Sequence, residues 1–247
     1  MKQELVRHMM LNKKNVLVIV PAFNEEESVG EVLADLQSLG YQVLVISDGS
    51  SDNTANIARD QKCFVLELPI NLGVGGALRA GFKFAVRRNY QAVVQIDADG
   101  QHPVDEINNL IDAANNSGAH MVIGSRFRST ESTLEVSGVR RIAMWMLSRS
   151  ASSAAKTSIT DSTSGFRLIR EPLLEEFAAQ FANNYLGDTY ESVISAGRGS
   201  FHVIEVPAGL KPREIGESTA STGSAFKFTL KGLGVAFLRL HKRISLR

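Results

Sequence analysis

The chain has a single cysteine, Cys63, among its 247 residues, so an intrachain disulfide and any multi-cysteine metal site are excluded. Lying just before an apolar run, that thiol is expected to be buried and inert. No sign of charge prevails: 27 basic side chains face 26 acidic ones, for a formal net charge of +1. That balance argues against nucleic acid as a partner. No apolar run approaches the roughly 18 residues of a membrane-spanning helix. Met1–Asn15 lack the apolar core of a signal peptide, so the expected location is cytoplasmic. Internal repeats and long linkers are absent too. What remains is a globular chain with 44% apolar residues, enough for one sizeable core.

The chain is organised around Ala92-Val93-Val94-Gln95-Ile96-Asp97-Ala98-Asp99-Gly100-Gln101-His102-Pro103. β-Branched Val93, Val94 and Ile96 predict a buried strand. It ends in two carboxylates one residue apart, at the strand end where open α/β sheets bind ligands. Such a pair repels itself unless a cation or protons neutralise it. Hard cations such as Mg²⁺ or Mn²⁺ take oxygen ligands and leave positions open for substrate phosphates. The same spacing also suits a polar turn whose Asp side chains satisfy backbone N–H groups.

Around this stretch, short apolar runs alternate with amphipathic ones. Val16–Val20, Val43–Ile46, Phe64–Leu66 and Met121–Gly124 read as strands. Ser28–Leu39, Thr54–Asp60, Ala77–Arg88 and Val104–Ser117 read as helices, with Gly40 and Gly118 as stops. This alternation predicts a mostly parallel sheet with right-handed crossovers. Asp48, Asp97 and Asp99 then fall at one sheet edge. Glu25, Glu26 and Glu27 suit a helix start electrostatically. Gly73 and Gly75 precede a helix, but Leu78 stands where a dinucleotide-binding loop needs its third glycine. Those glycines are expected instead to allow close approach to a strand or a substrate phosphate.

Beyond residue 129 the pattern changes. A helix flanked by Ser and Thr carries Val139, Ile142, Met144, Trp145 and Leu147 together with Arg140, Arg141 and Arg149. Asp161-Ser162-Thr163-Ser164-Gly165-Phe166-Arg167 follows, then Leu168-Ile169 and a helix from Pro172. A further helix is expected over Tyr185–Ala196, and a last strand over Val203–Pro207. Residues 211–224 form a polar loop expected to move. Ser218–Arg247 contain no acidic residue and set Lys227, Lys231, Arg239, Lys242, Arg243 and Arg247 against Phe226, Leu233 and Phe237. Such a basic amphipathic segment either lies on an anionic membrane surface or docks with its basic face in solvent. The expected organisation is an arm (1–15), one body (16–220) and this appendage (221–247), with no transmembrane segment.

Seven pieces now resemble a known group. They are Val20-Pro21-Ala22-Phe23-Asn24-Glu25, Ser47-Asp48-Gly49-Ser50-Ser51-Asp52-Asn53-Thr54, Asn71-Leu72-Gly73, Asp97–Pro103, Gly124-Ser125-Arg126, Asp161–Arg167, and Arg213 with Gly216 and Ser218. In order and spacing they are similar to the inverting nucleotide-sugar glycosyltransferases of family 2. The likeness is greatest to the dolichol-phosphate mannosyltransferase branch and related polyprenyl-phosphate sugar transferases.

The resemblance implies a single-domain GT-A, Rossmann-like α/β fold. It also implies metal-dependent, inverting transfer of a hexose from GDP- or UDP-sugar to a polyprenyl phosphate. Pro21, Phe23 (usually Tyr in the family), Glu25 and Asp48 would line the pocket for base and ribose, with Asp97, Ala98, Asp99 and Arg213 completing the donor site. Asp97, Asp99 and Gln101 would hold Mg²⁺ or Mn²⁺. Arg126, Arg140, Arg141 and Ser164 are implied at the acceptor, and Asp97, Asp99, Arg126, Asp161 and Arg213 in catalysis. A phosphate acceptor needs no general base; a hydroxyl acceptor needs one, with Asp161, Asp188 and Glu191 as candidates. Departures are Met144 and Trp145 near where the family tends to have Ser, and Thr219 in place of a frequent Lys. Peripheral contact with the cytoplasmic membrane face is implied, through the C-terminal segment. Two other functions stay open: transfer to a saccharide or small-molecule hydroxyl, and sugar-nucleotide binding without catalysis.

Overall fold

A strand buried on both faces must be apolar throughout, and β1 (Val16–Ala22) is of this kind. The computed structural model describes residues 10–127, 138–181 and 189–209, with only the backbone at 138–143. After β1 come α1 (Val29–Ser38), β2 (Gln42–Asp48), α2 (Thr54–Asp60), β3 (Phe64–Leu68), α3 (Val74–Arg87) and β4 (Ala92–Gln95). A short 3-10 turn leads into α4 (Ile107–Ser117), followed by β5 (Met121–Ser125) and α5 (Gly138–Ala155). The described chain closes with β6 (Arg167–Arg170), α6 (Leu173–Gln180), α7 (Tyr190–Arg198) and β7 (Val203–Pro207).

The strands form one sheet in the order β3-β2-β1-β4-β6-β5-β7. All neighbours pair in parallel except β6, which runs antiparallel to both β4 and β5. The mostly parallel α/β sheet expected from the alternation is therefore present. Strand period decides which side chains face which layer. Leu17 and Ile19 join Leu44, Ile46 and Phe82 in one core, whereas Val16, Val18 and Val20 join Leu33, Leu36 and Leu110 in the other. In the first, Phe82 of α3 meets Phe177 and Phe181, with ring centroids 6.0 and 5.0 Å away.

Strand β6 was visible in the sequence only as Leu168-Ile169. Its reversal matters, because Arg167 at its start lies opposite Gln95 of β4 and Ile123 of β5. The 161–166 stretch is thereby delivered to the carboxyl edge of the parallel strands. Helix α7 is described from Tyr190, and both Tyr185, where it was expected to begin, and Asp188 lie outside the described residues. So do residues 1–9, Arg213, the polar loop and the basic C-terminal segment. Leu11, within the expected arm, is buried in the second core. Cys63 is half-buried rather than buried; desolvation pushes its thiol up, and Gln37 Nε2 donates to its Sγ at 3.2 Å. Among the described residues, no helix is long and apolar enough to cross a membrane.

Candidate active site

The chain leaves β1 toward β2 and β3 on one side, then returns to place β4 on the other. Between the carboxyl ends of β1 and β4 lies the switch point where open α/β sheets form their binding crevice. Pro21, Asp48 and Asp97 stand at or just beyond the ends of β1, β2 and β4.

Pairing with β1 continues as far as Ile96, whose N–H donates to Ile19 O at 3.1 Å. Then the chain turns. Asp97 N–H donates to His102 Nδ1 at 3.0 Å, Gln101 N–H donates to Asp99 Oδ1 at 3.1 Å, and Gly100 takes a positive φ of 75°. Ala98 is buried, while the aspartates flanking it stay half-exposed; the Asp97 side chain is 43% exposed. Two carboxylates and the nearby Gln101 carbonyl oxygen are hard oxygen donors, too few to fill a coordination sphere. Among the described residues, no group of three or more His, Cys, Asp or Glu could hold a metal. Hard oxygen donors of this kind suit Mg²⁺ or Mn²⁺, whose remaining positions other oxygen ligands would fill.

Arg126 follows β5 and reaches the same edge. Its Nε and Nη2 donate to Asp161 Oδ2 and Oδ1 at 2.6 and 2.7 Å, and Nη2 also donates to Thr163 Oγ1 at 2.8 Å. The Asp161 side chain is fully buried and that of Arg126 is 28% exposed. Burial alone would raise the Asp161 carboxyl and lower the guanidinium. Their bidentate pairing outweighs it, holding the acid below its ordinary range and the guanidinium above its own, with Asp97 adding to the latter. Glu205 of β7 fixes the clamp from behind, accepting from Asp161 N–H at 2.6 Å and Thr160 N–H at 2.8 Å. Asp161 is thus an ionised anchor for Arg126, whereas a general base needs a face open to its substrate.

The rest of the Asp161–Arg167 stretch turns inward. Ser164 is buried and its Oγ accepts from Phe166 N–H at 3.2 Å. The buried Arg167 guanidinium donates to Ser164 O, Ser162 O, Thr189 O and Ser192 Oγ. Of the implied acceptor group, then, Arg126 is partly exposed and Ser164 faces the core. Arg140 and Arg141 lie on the part of α5 described by backbone alone, and Glu191 is half-buried in the first turn of α7.

Beside the ends of β1 and β2 two loops are laced together. Asn24 N–H donates to Ser50 Oγ, Ser51 N–H to Asn24 Oδ1, Glu25 N–H to Thr54 Oγ1 and Glu26 N–H to Asp52 Oδ2, all within 3.1 Å. Phe23 stands out of this lacing, 48% exposed. Glu25 is half-buried, its Oε2 accepting from Ser28 Oγ at 2.6 Å. Asp48 is buried, and its Oδ1 accepts from Leu72 N–H at 2.8 Å, rooting the Asn71-Leu72-Gly73 loop beside it. Sequence reasoning missed His102, Gly165 and Glu205 as parts of this edge. Only His102 carried a local signal, its place directly behind the paired acids.

The profile of glycosyl transferase family 2 matches residues 17–177. The chain belongs to this family. A polyprenol monophosphomannose synthase of Mycolicibacterium smegmatis is 31% identical over 84% of this chain and 82% of its own. An undecaprenyl-phosphate mannosyltransferase of Micrococcus luteus is 30% identical over 94% of this chain and 99% of its own. In fold, this family 2 glycosyltransferase is similar to glucosyl-3-phosphoglycerate synthase of Mycobacterium tuberculosis, solved with Mn²⁺, UDP and phosphoglyceric acid. That likeness has a TM-score of 0.67 at 19% identity, over 90% of this chain and 78% of the other. The GT-A architecture expected from the motifs is the architecture observed.

Proposed function

We propose that this glycosyltransferase moves a hexose, mannose or glucose, from a GDP- or UDP-sugar to a polyprenyl phosphate, with inversion and with Mg²⁺ or Mn²⁺. The observation that carries this is the pair of half-exposed carboxylates, Asp97 and Asp99, at the sheet's switch point. The acceptor class is supported by the two bacterial relatives, whose names specify polyprenyl phosphates. Asp97, Asp99 and Gln101 would hold the cation. When bound, it supplies Lewis-acid charge against the negative charge growing on the departing nucleoside diphosphate. Arg126, kept cationic by Asp161, adds a fixed positive group at the same edge. Pro21, Phe23, Glu25 and Asp48 surround the base and ribose, and Arg213 meets the donor phosphates, for which a guanidinium fork is well shaped. A phosphate acceptor arrives already anionic, which suits a site whose buried aspartate is locked in an ion pair. The basic C-terminal segment provides peripheral contact with the membrane that holds the lipid acceptor.

The test is transfer by the purified full chain from radiolabelled GDP-mannose and, separately, UDP-glucose, with polyprenyl phosphate in vesicles and Mn²⁺. Label should enter the organic phase with one donor and stay in water when EDTA is added. Label passing only to soluble saccharides, or undiminished transfer in EDTA, overturns the proposal.

A further inference from the structure

We propose that Glu205 is a positioning residue that holds Arg126 from both sides for the acceptor phosphate, a role resting on the acceptor-side reading of Arg126. Pairing between β5 and β7 sets Glu205 beside Ile123, and the two-residue period of a strand puts its side chain on the same face as that of Ser125. Glu205 is buried, and both its carboxylate oxygens are engaged. Oε1 accepts Asp161 N–H at 2.6 Å, Oε2 accepts Thr160 N–H at 2.8 Å, and Thr160 Oγ1 donates to either oxygen at 3.0 Å. Taking a carboxylate this far from water is costly, and two consecutive backbone donors offset that cost.

Two routes run from this carboxylate to Arg126. The first passes through Asp161, whose N–H is fixed by Glu205 Oε1 and whose side chain grips Arg126 at three atoms. Asp161 Oδ2 accepts Arg126 N–H at 3.2 Å and Nε–H at 2.6 Å, while Oδ1 accepts from Nη2 at 2.7 Å. The second passes through hydroxyls. The one hydroxyl proton of Thr160 goes to Glu205, so at the 3.1 Å contact between Thr160 Oγ1 and Ser125 Oγ the serine donates. Ser125 Oγ in turn accepts Phe127 N–H at 3.3 Å, and the Arg126 guanidinium carbon lies 5.5 Å from the centroid of the Phe127 ring. Arg126 is thus held directly by Asp161 and, through both its chain neighbours, by the hydroxyl chain. Both routes end at a guanidinium that keeps 28% of its side chain in solvent. A misplacement of about 1 Å in a group that meets substrate can cost about 100-fold in rate.

The test is a double-substitution cycle of Glu205→Gln and Arg126→Ala in the full chain, read as transfer to polyprenyl phosphate in vesicles with Mn²⁺. The donor is whichever of GDP-mannose and UDP-glucose the wild type uses. In Glu205→Gln one oxygen still accepts, while the amide nitrogen meets a backbone N–H in place of the other. KM for polyprenyl phosphate should rise about tenfold or more, with donor affinity by calorimetry staying within about threefold. In a chain already carrying Arg126→Ala, adding Glu205→Gln should change transfer by no more than about twofold. Losses that multiply, or a donor affinity that falls as far as the acceptor KM rises, overturn the proposal and leave Glu205 a part of the fold alone. Wild-type transfer by Arg126→Ala overturns the acceptor-side reading of Arg126 and this role with it, as does a wild type that uses neither donor. Thr160→Val, at an exposed position, keeps both backbone bonds and cuts only the hydroxyl route. It should raise the acceptor KM at least threefold, and only while Arg126 is present. An unchanged KM in Thr160→Val overturns the two-sided hold even where Glu205→Gln fails to fold.

Discussion

Gly165 lies so close to Asp97 that an added Cβ would stand 3.0 Å from its Oδ2 and 3.2 Å from its Oδ1. Gly165 has no positive φ, so alanine is sterically acceptable to the backbone there. The nearest atoms the added Cβ would meet all belong to the Asp97 carboxylate, whose side chain is 43% exposed. Gly165→Ala should therefore spare stability and damage function. We expect Tm to change by no more than about 3 °C, since little buried structure is disturbed. Transfer should fall about tenfold or more, as sub-ångström misplacement of catalytic groups commonly costs that much. Thermal unfolding and initial rates on one preparation check both.

Acid should weaken the fold through Asp161. Its carboxyl is held below the ordinary value of about 3.9, so the unfolded chain takes up the proton first as pH falls. The stabilisation is complete above about pH 4 and is lost as pH drops toward the folded value. Asp161→Asn leaves Arg126 without its buried partner and should cost about 3 kcal/mol at pH 7. Urea unfolding at pH 7 and pH 3 should show the gap between wild type and variant shrinking at the lower pH. A gap that is the same at both would mean the pair contributes nothing to acid sensitivity.

The contrast between these two sites explains what could be read from the sequence. Val16–Val20 and Met121–Ile123 announced themselves because a strand buried on both faces has no polar residue to confuse the pattern. Asp97 and Asp99 were legible because strand-end carboxylates in an alternating α/β chain converge on one edge whatever the strand order. The partners of those residues were not legible. Gly165 meets Asp97 only because β6 is antiparallel, and a four-residue strand with two apolar positions gives no hint of direction. Arg126 resembled an acceptor-phosphate ligand, yet its bond to Asp161 spans 35 residues and rests on Glu205 of the last described strand. Local pattern finds the polar groups gathered at the sheet edge; long-range pairing decides what each is free to touch.

Gly49 and Gly40 offer an internal comparison of strain with collision. Both have positive φ, 71° and 79°. An added Cβ at Gly40 meets nothing within 4 Å, whereas at Gly49 it would stand 2.6 Å from Asn71 N and 2.7 Å from Ile70 C. Gly40→Ala should cost about 1 kcal/mol, the left-handed backbone penalty alone. Gly49→Ala must also push away the loop that Asp48 roots through Leu72 N–H, and should cost at least about 2 kcal/mol more. Urea denaturation of both variants gives the difference directly. Equal costs would show that the 70–72 loop yields without resistance.

Removing the paired acids should separate chemistry from folding. Asp99 is half-exposed and its Oδ1 accepts Gln101 N–H, so Asp99→Asn keeps an acceptor for the turn while discarding the charge. Stability should change by less than about 1 kcal/mol, as expected away from the core. On the proposed metal-holding role, transfer should fall by about 100-fold or more, because the cation would no longer be retained beside the leaving diphosphate. Raising Mn²⁺ should recover part of the loss if the defect is weaker metal retention, whereas chelation should abolish the wild-type rate outright. A variant that retains full activity in EDTA would place the reaction's electrostatic stabilisation elsewhere on the edge, with Arg126 the first group to test.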